Sequence, residues 1–157
     1  MTIQSERTSP AIDLDAAKRA YELDRKHVFH SWSAQAKLTP MTITASEGCY
    51  VWDGEGNRLL DFSSQMVNTN IGHQHPKVVA AIADQAAKLC TVAPAHVNDA
   101  RSEAARLIAE RTPGELDKVF FTNGGADAVE HAVRMARLHT GRRKVLSRYR
   151  SYHGGTD

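Results

Sequence analysis

One junction in the chain, at residues 119–136, constrains its fold more than any other stretch. The sequence there reads Val-Phe-Phe-Thr-Asn-Gly-Gly-Ala-Asp-Ala-Val-Glu-His-Ala-Val-Arg-Met-Ala. The apolar run predicts a buried strand and the alanine-rich pattern after it predicts a helix, so Gly124 and Gly125 mark a tight turn between them. Glycine lets the backbone approach a ligand closely, and the free amides at the start of a helix attract anions. The turn is therefore a candidate phosphate site.

A simple strand-to-helix turn could have the same sequence, so this stretch alone leaves both interpretations open. A valine at position 125 would test the need for glycine, because it would block a ligand's approach and disfavour a positive φ. Other phosphate motifs are missing: no Gly-x-Gly-x-x-Gly follows a strand, and no Gly-Lys-Ser or Gly-Lys-Thr closes a P-loop. Dinucleotide-binding and nucleoside-triphosphate-binding folds are therefore not favoured.

The composition is that of an ordinary globular protein, with 41% hydrophobic and 24% charged residues. The formal net charge is +2 and the densest basic cluster, residues 142–144, is short, so we expect no nucleic-acid binding. No apolar run is long enough to cross a bilayer, and no membrane association is expected. Two cysteines, Cys49 and Cys90, cannot form a disulfide framework, and no apolar leader is visible, which favours a cytoplasmic location.

The first half of the chain predicts a helix followed by a β-meander. Residues 1–12 lack periodicity and predict a mobile tail, and a helix with a thin apolar face is expected from Asp13 to about His30. Residues 41–62 then alternate with period two around a turn at 53–57, which is typical of a meander.

The second half alternates helices and strands. Helices are expected at residues 76–89 and at about 98–111, the first of them opening on a proline. The strand, turn and helix of the junction come next, and residues 144–148 predict a further strand. Strand, helix and strand in this order favour parallel pairing in a three-layer α/β domain.

Three further motifs accompany the glycine pair. They are Gly-Cys-Tyr-Val-Trp-Asp at 48–53 with Leu-Asp-Phe at 60–62, Ile-Gly-His-Gln-His-Pro at 71–76, and Tyr-His-Gly-Gly-Thr at 152–156. In order and spacing, these motifs and the glycine turn resemble the class III aminotransferases of fold type I, which depend on pyridoxal 5'-phosphate. The resemblance extends from about Asp24 to the last residue, and such enzymes usually have more than twice this length.

The resemblance implies a fold-type I α/β architecture, a three-layer αβα large domain with a small N-terminal β-meander segment. Residues 1–70 would belong to the small domain, and residues 71–157 would begin the large cofactor-binding domain. The implied reaction moves an amino group from a primary amine or ω-amino acid to an α-keto acid such as pyruvate. The implied assembly is a homodimer with shared active sites.

The resemblance implies that two groups of residues bind the cofactor. The first is Gly124, Gly125 and Ala126, and the second is Tyr152, His153 and Gly154. The amides of Gly125 and Ala126 would bind the phosphate, with Gly124 allowing the close approach. Tyr152 would stack on the cofactor ring. Many family members have serine at one or both positions flanking the central glycine, so this chain loses a hydroxyl donor there but keeps the amides.

On the substrate side the resemblance assigns five residues: Trp32, Met66, Val67, Ala95 and His96. Trp32 would line the pocket, although from the sequence alone it could equally anchor the end of the first helix. Residues 94–96 would reach across the dimer into the partner's site.

No catalytic residue is assigned within the chain, because in the family the Schiff-base lysine and the acid for the ring nitrogen lie downstream of Tyr-His-Gly. The 157-residue chain alone is therefore expected to be inactive. The alternative is a non-catalytic dimerisation or binding module of the same fold. No metal site is expected, since His73 and His75 lack a third ligand at a suitable spacing.

Overall fold

The computed structural model of the protein describes residues 10–154. Most of the predicted tail, residues 1–9, lies outside this range, as do residues 155–157. The chain divides into two compact units, one ending at Thr91 and the other beginning at Val92. No helix within residues 10–154 is both long and apolar enough to span a membrane.

The first unit opens with the predicted helix, α1 (Leu14–His27). Asp13 caps it, as expected, because its carboxylate accepts a hydrogen bond of 2.9 Å from the amide of Ala16. Basic residues fill the last turn, where they complement the helix dipole. The helix ends earlier than predicted, since Val28 is already extended, with φ −100° and ψ 129°.

Three antiparallel strands in the order β1-β2-β3 form the meander: β1 (Ile43–Glu47), β2 (Tyr50–Asp53) and β3 (Arg58–Leu60). The carboxylate of Asp53 accepts hydrogen bonds from the amides of Glu55 (2.9 Å) and Asn57 (2.8 Å), which fixes the turn between β2 and β3. The middle strand supplies two buried residues, Val51 and Trp52. The prediction of a meander with a turn at 53–57 is confirmed.

A close contact between α1 and this turn requires a glycine at position 54. A Cβ atom on Gly54 would lie 3.3 Å from the Cβ of Ala17 and 3.1 Å from the Cβ of Thr42. Ala17 itself is buried, so a larger side chain at either position would force the helix and the turn apart.

A loop follows β3 and leads to α2 (Pro76–Lys88). Its first part is one helical turn, Ser64–Val67, and its last part is joined to the β1–β2 hairpin by an isolated bridge between Gly48 and His73. Pro76 stands in the first turn of α2, where its missing N–H costs no hydrogen bond. The helix prediction for residues 76–89 is confirmed.

The second unit contains α3 (Asp99–Ala109) and α4 (Gly125–Thr140). Asn98 caps α3, because its side chain accepts a hydrogen bond of 2.8 Å from the amide of Arg101. α4 ends at Gly141, whose φ of 67° is the left-handed conformation that glycine adopts without strain. Both helices were predicted.

The two strands predicted in this unit are not paired. Residues 119–121 and 144–148 belong to no strand, and the meander supplies all the strands found within residues 10–154. Nor are these runs buried, since Phe120 is 61% and Leu146 99% exposed. The pattern of each run is typical of a strand in a parallel sheet, but such a strand is held and covered by distant neighbours. These two runs therefore form no sheet of the expected three-layer arrangement among the described residues.

Candidate functional site

The predicted phosphate turn has the backbone geometry of an anion site. Gly124 is the N-cap of α4, and no side chain caps the helix. The first backbone hydrogen bond of the helix joins the amide of Ala128 to the carbonyl of Gly124 (3.1 Å), so the amides of Gly125 and Ala126 precede it. A Cβ atom on Gly124 or Gly125 would meet nothing within 4 Å. The amides of Gly125 and Ala126 thus have no partner within the helix and can donate to an anion, and the backbone beside them is unobstructed.

The expectation that Gly125 has a positive φ is wrong. Gly124 has φ −171°, and Gly125 is not among the residues with positive φ. The turn is extended backbone running directly into a helix, a conformation that other residues also adopt. What glycine contributes here is open space for a ligand.

Local contacts hold the turn against its own helix. The ring of Phe120 meets the ring of His131 on α4 edge-on, with centroids 4.9 Å apart and planes at 71°. The hydroxyl of Thr122 donates to the carbonyl of Gly124 at 3.1 Å. The extended run, the turn and the helix thus form one local unit, although no sheet surrounds it among residues 10–154.

The Tyr-His-Gly motif lies at the end of the described chain. His153 helps to line a cavity of about 790 Å³ between α4 and residues 143–151, to which Arg137 and Arg148 contribute. Tyr152 is 71% exposed, and the lining of the cavity includes neither Tyr152 nor the phosphate turn. The structure therefore does not bring the two predicted groups of cofactor residues into one cavity.

The predicted segment of residues 94–96 is an exposed turn held by one arginine. The amide of His96 donates to the carbonyl of Ala93 at 3.0 Å, which closes the turn. The guanidinium of Arg101, on the first turns of α3, donates to the carbonyls of Pro94 and His96. Ala95 and His96 are both exposed at its tip.

Trp32 stands at the tip of a loop after α1. It is 76% exposed with φ 58°. The side-chain amide of Gln35, in the short 3-10 turn Gln35–Lys37, bonds the backbone of His30 in both directions, at 3.1 and 2.6 Å. These bonds close the loop beneath the tryptophan.

Met66 and Val67 lie in a left-handed helical turn, Ser64–Val67. All four residues have φ between 49° and 67°, and none is glycine. For ordinary residues this hand costs about 1–2 kcal/mol per residue, most for a β-branched side chain such as Val67. Both predicted residues are exposed, Met66 by 71% and Val67 by 70%. No pattern in the sequence predicted this conformation.

An aspartate–histidine pair beside this turn was also missed. Nε2 of His73 lies 2.7 Å from Oδ2 of Asp61, and their side chains are only 10% and 4% exposed. The hydrogen bond from His73 lowers the pKa of Asp61 from 3.8 to about 2, against the opposing effect of burial. Both residues belong to motifs that carried the family resemblance, Leu-Asp-Phe and Ile-Gly-His, but neither was given a role.

The family model for class III aminotransferases, Aminotransferase class-III, matches residues 32–157. Acetylornithine aminotransferase of Methanopyrus kandleri is 40% identical over 117 residues, which cover 74% of this chain and 30% of that protein. Isoleucine 2-epimerase of Lentilactobacillus buchneri is 35% identical over 145 residues, covering 91% of this chain and 32% of that protein.

Among solved structures, a taurine:2-oxoglutarate aminotransferase from Bifidobacterium kashiwanohense, in complex with PLP and glutamate, superposes with a TM-score of 0.82. It is 40% identical in sequence, and the match covers 89% of this chain and 31% of that one. The chain thus spans about a third of the length of these relatives, and its folded elements are those of their fold. The chain belongs to the class III aminotransferases.

Proposed function

We propose that the complete protein is a pyridoxal-phosphate-dependent transaminase. It would pass an amino group from a primary amine or ω-amino acid to an α-keto acid such as pyruvate. The observation that carries the proposal is the uncapped start of α4, where the amides of Gly125 and Ala126 have no partner within the helix and the glycine backbone is unobstructed, in a chain of this family. When bound, pyridoxal phosphate supplies an electron-withdrawing ring that stabilises negative charge at the α carbon of the amine.

The chain's own residues would hold the cofactor and exclude water from it. The amides of Gly125 and Ala126 would donate to the phosphate, and the positive end of the α4 dipole would favour its charge. Tyr152 would stack on the cofactor ring, with His153 and Gly154 completing that motif. The exposed, aromatic character of Tyr152 supports this role.

The substrate side is assigned to Trp32, Met66 and Val67, with Ala95 and His96 contributed from across a dimer. Their common feature supports this: each is apolar or aromatic and exposed, and each stands at the tip of a turn held by side-chain hydrogen bonds. Exposed apolar residues on an ordered loop are typical of a surface that a ligand or another chain covers.

We also propose a homodimer in the cytoplasm, with the small domain in residues 1–70 and the large domain from residue 71. The two cysteines, both free and exposed, support a reducing compartment. The exposed turn at 94–96 supports a shared site. In a two-fold dimer, the turn of each subunit can contact the active site of the other.

The proposal is tested with the complete protein and the variant Ala126→Pro. Proline removes one phosphate-binding amide but is tolerated in the first turn of a helix. Loss of a charge-assisted hydrogen bond costs about 1.5–3 kcal/mol, so we expect affinity for pyridoxal phosphate to fall roughly 10- to 100-fold in a titration of its visible absorbance.

The matched control is Ala100→Pro, at the same position of α3. It should leave cofactor affinity unchanged. Wild-type protein should form alanine from pyruvate with an amine donor. If wild type and Ala126→Pro bind the cofactor equally well, the glycine pair is a simple turn that does not bind phosphate. If the protein inverts the configuration of an amino acid without consuming a keto acid, it is an epimerase, as one relative is named, and not a transaminase.

A further inference from the structure

The left-handed turn Ser64–Val67 is stabilised from outside itself. Inside the turn, the amides of Asn68 and Thr69 donate to the carbonyl of Ser64, at 2.8 and 3.0 Å. Hydrogen bonds of this kind form equally well in a right-handed turn, which ordinary residues prefer. The backbone bonds therefore do not explain the hand. The side-chain amide of Asn68 donates to the carbonyl of Gln65 (2.7 Å) at the end of the turn, and a contact from outside the turn fixes its start.

Asp61 makes that contact. Its carboxylate accepts hydrogen bonds from the Ser63 hydroxyl (3.0 Å), the Gln65 side-chain amide (3.2 Å) and, at the limit of 3.5 Å, the Gln65 backbone amide. Its fourth donor is Nε2 of His73, at 2.7 Å. The first three donors lie at the start of the left-handed turn and the fourth lies at the far end of the loop. One buried carboxylate thus joins both ends of the loop.

The carboxylate is itself fixed to the hairpin. The amide of Asp61 donates to the carbonyl of Cys49 at 2.9 Å. His73 is bound through two backbone hydrogen bonds to Gly48, of 2.7 and 3.0 Å. The backbones of Asp61 and His73 are therefore both hydrogen-bonded to neighbouring residues of the β1–β2 hairpin, and their side chains meet with little freedom. The left-handed turn is held on a rigid support rather than on a flexible loop.

From this geometry we propose that Asp61 is a positioning residue for substrate specificity. By binding Gln65 and His73 together, it keeps residues 64–67 left-handed and so fixes the directions of the exposed Met66 and Val67. This inference rests on the proposed function, in which those two side chains contact the amine donor. Reversing the hand of the turn would redirect both side chains, and the amine would lose its contacts.

The main test is Asp61→Asn in the complete protein. We expect the KM for the amine to rise about tenfold or more, with a smaller change in kcat, because the lost contacts are made already in the bound substrate. Affinity for pyridoxal phosphate should be unchanged. Hydrogen–deuterium exchange should speed up at the amides of Asn68 and Thr69, and this readout does not depend on activity.

A double-mutant cycle separates positioning from a general loss of stability. If Asp61 acts through Met66, then Asp61→Asn should raise the KM of Met66→Ala far less than that of the wild type. The control is Asp53→Asn, which removes a carboxylate from the turn between β2 and β3. It should leave both the KM for the amine and the exchange of Asn68 unchanged.

If Asp61→Asn does not yield folded protein, the variant Gln65→Gly tests the role of Asp61. Glycine keeps the left-handed conformation accessible without strain but no longer enforces it, and one link to Asp61 is lost. The KM for the amine should rise while the melting temperature stays close to that of the wild type. An unchanged KM in either folded variant, with wild-type transaminase activity intact, would overturn the role of Asp61. A wild type without transaminase activity would overturn the proposed function instead.

Discussion

Two substitutions of Gly124 should change the affinity for the cofactor in opposite directions. It is extended and unobstructed, so a side chain fits there without strain. Gly124→Ser adds a hydroxyl donor beside the phosphate, and we expect it to strengthen cofactor binding by about 0.5–1.5 kcal/mol. Gly124→Asp adds a negative charge at the same distance and should weaken binding. Absorbance titration of the complete protein measures both.

The control for this pair is Gly114→Asn, at a turn in the left-handed conformation with φ 64°, which asparagine tolerates. It should leave cofactor affinity unchanged. If serine and aspartate at position 124 change affinity in the same direction, the phosphate does not lie at this turn.

Trp32 should contribute to amine recognition more than its neighbour Phe29 does. Both rings are exposed in the chain, but Trp32 stands at the tip of a loop closed by Gln35. Covering a large apolar side chain with substrate is worth about 1.5–3 kcal/mol, so Trp32→Ala should raise the KM for an aromatic amine roughly tenfold or more. Phe29→Ala should not. Steady-state kinetics with both variants would refute the assignment if the two behave alike.

For single residues, the sequence predicts the hydrogen bonds that a side chain makes to residues close to it in the chain. Asp13 and Asn98 each bind an amide three residues away, so their caps follow from the local pattern. Asp61 binds His73, twelve positions away, and only the folded loop brings the two side chains together. Its role could not be derived from spacing.

The loop closed by Asp61 should make the acid stability of the protein depend on this residue. Its pKa in the folded protein, about 2, lies below the ordinary 3.8, so its stabilisation is complete above pH 3.8 and is lost as the pH falls towards 2. We expect the melting temperature of the wild type to fall more steeply across this range than that of Asp61→Asn. Asp53, whose pKa is also lowered, is present in both proteins and does not affect the difference. Parallel curves from scanning fluorimetry would contradict the lowered pKa.

The turn at 94–96 should become mobile when its arginine is removed. Arg101→Gln deletes the guanidinium that binds the carbonyls of Pro94 and His96. We expect faster hydrogen–deuterium exchange at the amide of His96 and little change in the melting temperature, since the contact is exposed. The matched control on the same helix is Arg106→Gln, whose guanidinium binds Glu103 and Glu110 instead. Equal exchange at His96 in both variants would show that Arg101 does not hold the turn.

Elements were predicted well where their contacts are local. The meander joins strands that are adjacent in sequence, and its turn at Asp53 is fixed by residues within that turn. The runs at 119–121 and 144–148 have equally good strand patterns, but their pairing depends on neighbours far along a chain. The left-handed turn at Ser64–Val67 contradicts the conformational preferences of its own residues, so it could not be predicted from residue propensities.

For the molecule as a whole, the motifs identified the family more securely than the folding pattern did. Four motifs in the right order predicted a class III aminotransferase, and the match over residues 32–157 confirms that prediction. The buried hydrophobic residues of the described chain are Ala17, Val51 and Trp52, all in the first unit. The second unit therefore carries its apolar residues on open faces, among them Phe120 and Leu146. Composition alone did not reveal this, because the same residues in a complete sheet would be covered.

The unequal burial of the two tryptophans gives the 157-residue polypeptide two separate fluorescent reporters. Trp52 is 5% exposed within the meander, whereas Trp32 is largely open to solvent. A shielded indole emits at shorter wavelengths and is poorly reached by dissolved iodide, while an open one emits at longer wavelengths and is quenched. Iodide should therefore remove the red-shifted emission of Trp32 first, and the blue-shifted emission that remains would follow the unfolding of the meander alone.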